Sequence, residues 1–164
     1  PAEILSGKDI VTSGSSETPG LQPTPVSVYL TLFTSMFMHG GIAHIAGNML
    51  FLWIFGDNLE NAMGHRRYLF FYLLCGILAG LSHVIGSSYL NQNTLVPSLG
   101  ASGAISGVLA GYMLLFPRRG VHVWVLFGTM TLPSVIVVGL WFVFQVINGM
   151  GMLGGEESAG GIAG

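Results

Sequence analysis

The 164-residue chain is 51% hydrophobic and 7% charged, with a formal net charge of −2 and a mean hydropathy of +0.70. A soluble domain carries about 25% charged residues, so the composition excludes an ordinary soluble globule and fits a protein embedded in a bilayer. The lack of basic excess excludes a nucleic-acid partner, and a single cysteine, Cys75, excludes a disulfide framework.

In chain order, Pro1 opens the sequence with neither a Met nor a signal-peptide pattern. Gly164 closes it in a glycine-rich turn, so the chain reads as an internal piece of a larger protein. Residues 1–34 read as an outer loop, turn-rich around Pro19, Pro23 and Pro25, then apolar and aromatic over 28–35 along the membrane interface. Four apolar helices are predicted over 35–55, 68–88, 102–116 and 132–148. The stretch Val121 to Thr131 is rich in β-branched and aromatic residues and suits either a strand or an interfacial segment. Pro133 sits where a helix start favours proline. Residues 149–164, with Glu156 and Glu157, read as a second outer loop. The expected fold is an all-α polytopic membrane protein forming one domain over 1–164.

All four arginines fall in two loops, Arg66 and Arg67 between the first and second helices, Arg118 and Arg119 between the third and fourth. The positive-inside rule makes that side cytoplasmic. The 89–101 loop then lies on the outer side. The expected location is a prokaryotic plasma (inner) membrane.

The third helix begins at a serine between glycines, Gly100-Ala101-Ser102-Gly103, just after the helix-breaking Pro97. Ser102 to Phe116 makes about 22 Å of helix against a hydrocarbon core of about 30 Å, so Ser102 lies roughly 8 Å below the outer surface. Backbone that dips to such depth is tolerated where protein or a wet cavity surrounds it. Ser102 suits either a helix N-cap or a nucleophile at a helix N-terminus, where the dipole favours an oxyanion.

The first helix carries His39, His44 and Asn48. His44 and Asn48 are four apart and share a face, and a helix entering near Ser35 puts His44 at about the depth of Ser102. Polar groups there either glue helices together or face a functional interior. If functional, they suit acyl transfer, with Ser102 as nucleophile and its backbone N–H, the Asn48 amide and His44 as oxyanion donors. Residue chemistry alone leaves open whether His44 is a donor or the general base. His39 orders the cavity mouth, His83 lies near the outer end of the second helix, and His65 and His122 belong to the inner side. Gly103, Gly107 and Gly111 form a small-residue stripe suited to close helix packing. The histidines lack a metal-binding spacing, and no metal or cofactor is expected.

These residues carry a resemblance. His39-xxxx-His44-xxx-Asn48, Gly100-Ala-Ser102-Gly103 and Glu60-xxx-Gly64 together make the chain similar to the rhomboid intramembrane serine proteases. The likeness implies helices two to five of a six-helix bundle, with the first and sixth core helices absent. It implies a Ser-His dyad in which Ser102 works with a histidine on the sixth helix, beyond Gly164, while His44 and Asn48 take the oxyanion-stabilising positions. His39, Gly100 and Gly103 would support the site. One departure stands out: many members carry a Trp-Arg pair in the outer loop, and Val28 to Phe33 has none.

The resulting expectation is hydrolysis of peptide bonds in or near the transmembrane segments of membrane-protein substrates, in a cavity opening to the outer side. Substrate would enter laterally from the bilayer. Trp141, Phe142, Phe51 and Trp53 suit either a gate or plain packing. This piece, lacking its base, should be inactive alone. The rival expectation is a catalytically inactive rhomboid-like protein that binds membrane clients.

Overall fold

The computed structural model describes residues 1–13, 23, 25–89, 100–125 and 128–153, with side chains at 123–125 and 144–153 set aside. The predicted loop stretches at 14–22, 90–99 and 154–164, with Pro19, Pro97 and Glu156 among them, lie outside the described residues. A short helix α1 (Ala2–Ser6) opens the chain. The segment Val28–Phe37 is a tight helical run: a 3₁₀ turn (Val28–Leu30), α2 (Thr31–Thr34) and a second 3₁₀ turn (Ser35–Phe37). It meets the next rod, Ile42–Met63, at a bend of 78°.

The helix expected over 35–55 is therefore broken and displaced. The chain is extended at Met38 (φ −92°, ψ 141°) and again at Gly41 (φ 170°, ψ 175°). Beyond that break α3 (Ile42–Phe51) runs through a π-helical turn (Leu52–Gly56) into α4 (Asp57–Met63). Gly56-Asp57-Asn58 does not stop the helix: Gly56 keeps helical φ −66° and ψ −45°, and Asn61 Nδ2 donates to Asp57 Oδ1 at 3.2 Å one turn on. The stop comes at Gly64, whose φ of 82° favours glycine and whose N–H donates to the Glu60 carbonyl at 2.7 Å.

Helix α5 (His65–Tyr89) follows at once, then α6 (Ser102–Leu115), which ends two residues before Pro117. Two antiparallel strands, β1 (Gly120–Val125) and β2 (Gly128–Pro133), pair from Gly120↔Pro133 to Val125↔Gly128. The helical bundle thus carries one hairpin between α6 and α7 (Ser134–Leu153). Its base is clipped to the end of α6: Ser134 N–H donates to the Arg119 carbonyl at 2.9 Å, and buried Ser134 Oγ donates to the Phe116 carbonyl at 2.5 Å.

Among the described residues, one helix, His65–Tyr89, is long and apolar enough to cross a membrane, or two if the bent pair counts as one span. The most apolar window of α5 is only 11% buried, so its hydrophobic surface faces outward, as suits lipid contact. The core instead surrounds α6, where Ala104, Ile105, Val108, Leu109 and Tyr112 are all buried. Phe55, Leu59, Val121 and Val138 close on it from the rod, the hairpin and α7.

The stripe of small residues sets the α5–α6 spacing. A Cβ on Gly103 would collide with Ala79, one on Gly107 would lie 2.5 Å from Cys75 Sγ, and one on Gly111 would lie 3.5 Å from Phe71 Cζ, with Leu59 of α4 closing in as well. Backbones approach this closely only where a side chain is missing. The segment Val28–Phe37 crosses α5 in the same way, with Met36 against Gly76 and Leu32 Cδ2 3.2 Å from a Cβ on Gly80.

Candidate active site

Ser102 is the first residue of α6 and is half-buried. The N-cap position is Ala101, with no side-chain capping bond, so the capping alternative for Ser102 is set aside. The Ser102 N–H lies in the first turn, where no intrahelical partner is available. Its carbonyl accepts a hydrogen bond from Ser106 Oγ at 2.8 Å.

The turn into α6 hinges on Gly100. Its φ of 105° favours glycine, and its N–H donates to the Ser35 carbonyl at 2.9 Å. This bond ties the segment Val28–Phe37 to the head of α6. The space a side chain would take at Gly100 is filled from α3. A Cβ there would lie 2.8 Å from His44 Cε1, 2.9 Å from His44 Nε2 and 3.6 Å from Asn48 Nδ2. The structure thus brings His44, Asn48 and Gly100 together, two residues before Ser102.

The state of the His44 ring follows from its other nitrogen. Gly40 N–H donates to His44 Nδ1 at 3.4 Å, so the ring proton sits on Nε2. That Nε2–H and the Asn48 Nδ2 amide are buried and have no hydrogen-bond partner among the described residues. A buried donor left unpaired costs about 1–3 kcal/mol. Two such donors on one glycine make a place prepared for an acceptor.

His39 stands edge-on to His44, with ring centroids 5.2 Å apart at 75°. Beside them lies a cavity of about 210 Å³ lined by Met36, His39, Asn48, Tyr72, Ala101 and Ile105. Gly103 faces α5 rather than the cavity, and packs on Ala79. His83, one turn beyond Ala79 on α5, is half-buried with Nε2 unpartnered among the described residues.

The remaining histidines are engaged elsewhere. His65 Nδ1 pairs with Glu60 Oε1 at 2.6 Å, and His122 Nδ1 with Thr131 Oγ1 at 2.8 Å. Among the described residues no group of three metal-ligating side chains converges. Of the candidate gate aromatics, Phe51 and Trp141 meet across α3 and α7 with centroids 6.0 Å apart. Trp53 and Phe142 are 77% and 62% exposed and point away from the core.

Sequence reasoning missed Gly40 and Ser35, which act through backbone atoms. The Gly40-Gly41 pair was the available signal for the first, since consecutive glycines free a backbone N–H to turn back on a side chain. Nothing in the sequence marks the Ser35 carbonyl.

Comparison with known proteins identifies the family. The Rhomboid domain family profile matches residues 27–162. The chain is 35% identical over 126 residues to rhomboid protease GluP of Bacillus subtilis (strain 168), covering 76% of this chain and 23% of that protein. It is 32% identical over 124 residues to the mitochondrial rhomboid protein 1 of Saccharomyces cerevisiae, covering 76% of this chain and 34% of that protein. It is 34% identical over 87 residues to the human presenilin-associated rhomboid-like protein, mitochondrial, covering 53% of this chain and 22% of that protein. The chain therefore spans about a third or less of the length of these relatives. No solved structure matches it. A family match over most of the chain, the relatives' identity, and a helical bundle with one serine-headed central helix lead to one conclusion: the chain belongs to the rhomboid family of membrane proteins.

Proposed function

We propose that the chain is the core of an intramembrane serine protease that cleaves peptide bonds in or near transmembrane segments of membrane-protein substrates. The observation that carries this reading is the pair of donors, His44 Nε2–H and Asn48 Nδ2, unpartnered among the described residues and packed on Gly100 at the head of the helix that begins with Ser102. A protein that only binds clients gains nothing from burying two unpaired donors there.

In the proposed reaction Ser102 Oγ bonds to the scissile carbonyl carbon. Its proton passes to a general-base histidine, which the family likeness puts beyond Gly164. The carbonyl oxygen becomes an oxyanion held by His44 Nε2–H, the Asn48 amide and the Ser102 N–H. The bond to Gly40 supports the donor role for His44, because a ring with its proton on Nε2 offers that proton rather than a lone pair. Collapse of the intermediate breaks the C–N bond, and the base returns the proton to the leaving amine. Water then repeats the sequence on the acyl-enzyme and regenerates the Ser102 hydroxyl.

In the proposed topology four helices span the bilayer, the arginine-bearing ends face the cytoplasm of a bacterial cell and the site opens outward. At about 21 Å, α6 is shorter than the hydrocarbon layer, so in this topology Ser102 is submerged below the outer surface.

The test is labelling of Ser102 by a fluorophosphonate in the protein carrying this chain, with cleavage of a model transmembrane substrate as the second readout. Ser102→Ala should abolish both. Undiminished cleavage by Ser102→Ala overturns the reading.

A further inference from the structure

At the inner end of α5, far along the helix from Ala79 and the site and just after Met63 ends α4, Arg66, Arg67, Phe70, Phe71 and Leu74 recur at spacings of three and four. That spacing puts them on one face. In the structure these six residues line an open groove of about 410 Å³. Phe71 forms its floor, with its ring tip 3.5 Å from a Cβ on Gly111 of α6. Phe70 (69% exposed) and Leu74 (41% exposed) form an outward-facing apolar wall. Arg66 and Arg67 stand exposed at its mouth.

Among the described residues the two arginines have no carboxylate partner: the one ion pair there joins Glu60 to His65. Glu60 is thereby engaged, and Asp57 accepts from Asn61. The mouth also lies at the N-terminus of a 25-residue helix, so free N–H groups and the helix dipole add to the positive potential.

We propose that this groove binds one anionic phospholipid of the inner leaflet. Its phosphodiester would sit between the Arg66 and Arg67 guanidinium groups, and one acyl chain would run along Phe70 and Leu74. The geometry fits: Arg67 to Leu74 is about 10 Å along the helix, the step from headgroup level into the upper acyl chain. Charge selects the lipid over a protein segment. A packed apolar helix would bury two unpaired guanidinium groups, whereas a lipid phosphate satisfies them with charge-assisted hydrogen bonds.

The test places the protein carrying this chain in phosphatidylcholine bilayers and measures, with spin-labelled lipids, its preference for phosphatidylglycerol over phosphatidylcholine. An Arg66→Gln/Arg67→Gln variant should lower that preference about tenfold or more, since each basic residue at the membrane surface contributes about fivefold. Arg66→Lys/Arg67→Lys should retain most of it. Leu74→Trp, which fills the groove but keeps both charges, should displace the motionally restricted lipid. An unchanged preference in the double Gln variant overturns the proposal. So does a loss with Gln but not with Trp, which would mean diffuse surface attraction without a groove. A label at Phe70→Cys that a lipid-phase quencher cannot reach also overturns it, because the groove is then covered by protein.

Discussion

The His44 ring occupies the side-chain space of Gly100: a Cβ on that glycine would lie 2.9 Å from His44 Nε2. Gly100→Ala therefore does two things at once. It forces a side chain into a backbone with φ of 105°, at about 1–3 kcal/mol, and it pushes the imidazole off the head of α6. The expected outcome is a protein that still inserts but loses cleavage by at least about 10²-fold. Cleavage kinetics alongside an unfolding curve separate the two effects.

Asn48→Ala removes a donor and little bulk. In the proposed reaction it lowers kcat by about 10²–10³ and leaves KM nearly unchanged, because the oxyanion exists only at the transition state. A change confined to KM would assign Asn48 to substrate binding instead.

His44 separates donor from base. With the ring proton on Nε2, His44→Ala should slow fluorophosphonate labelling of Ser102 and leave a residual reaction, since the proposed mechanism puts the base on another histidine. Complete loss of labelling, equal to that of Ser102→Ala, would make His44 the base.

The α5–α6 seam gives a stability prediction independent of chemistry. Gly107→Ala puts a methyl 2.5 Å from Cys75 Sγ and 2.6 Å from its Cβ, and overpacking of this kind costs about 1–3 kcal/mol. Combining it with Cys75→Gly should restore most of the loss. A double-mutant cycle read by reversible unfolding in mixed micelles measures the coupling, and additive effects would mean that the two positions do not meet across the seam.

At the hairpin base, Ser134→Ala should cost only about 1 kcal/mol. The Phe116 carbonyl that loses Ser134 Oγ keeps a second donor, the Arg119 N–H at 3.1 Å. The same unfolding assay checks it.

Much of this arrangement was legible because the bilayer narrows the choices. A run of apolar residues with Pro117 after it had to be a helix, and Gly100 before Ser102 had to be a turn. The i, i+4 spacing of His44 and Asn48, with an estimate of depth, was enough to expect them near the head of α6. Other features rest on tertiary detail. The Gly40-Gly41 break shifts the helix start by a turn or more, and local composition does not fix where such a break falls. The π-helical turn at Leu52–Gly56 leaves no sequence mark. Gly56-Asp57-Asn58 has the composition of a helix end, yet Phe55 and Leu59 on either side of it are buried in the core and the helix runs on to Gly64. Val121 to Thr131 suggested strand character, but pairing is a property of two segments, and register could not be read from one.

The bond from Gly100 N–H to the Ser35 carbonyl limits how many amides can face a substrate. A peptide N–H already committed to the scaffold is closed to an incoming carbonyl, so from Gly100 to Ser102 the backbone offers the Ser102 amide and not that of Gly100. Any motion that lifted Ser35 would free the Gly100 amide as well. The seating of Val28–Phe37 on α5 thus sets which amides at the head of α6 are left unspent.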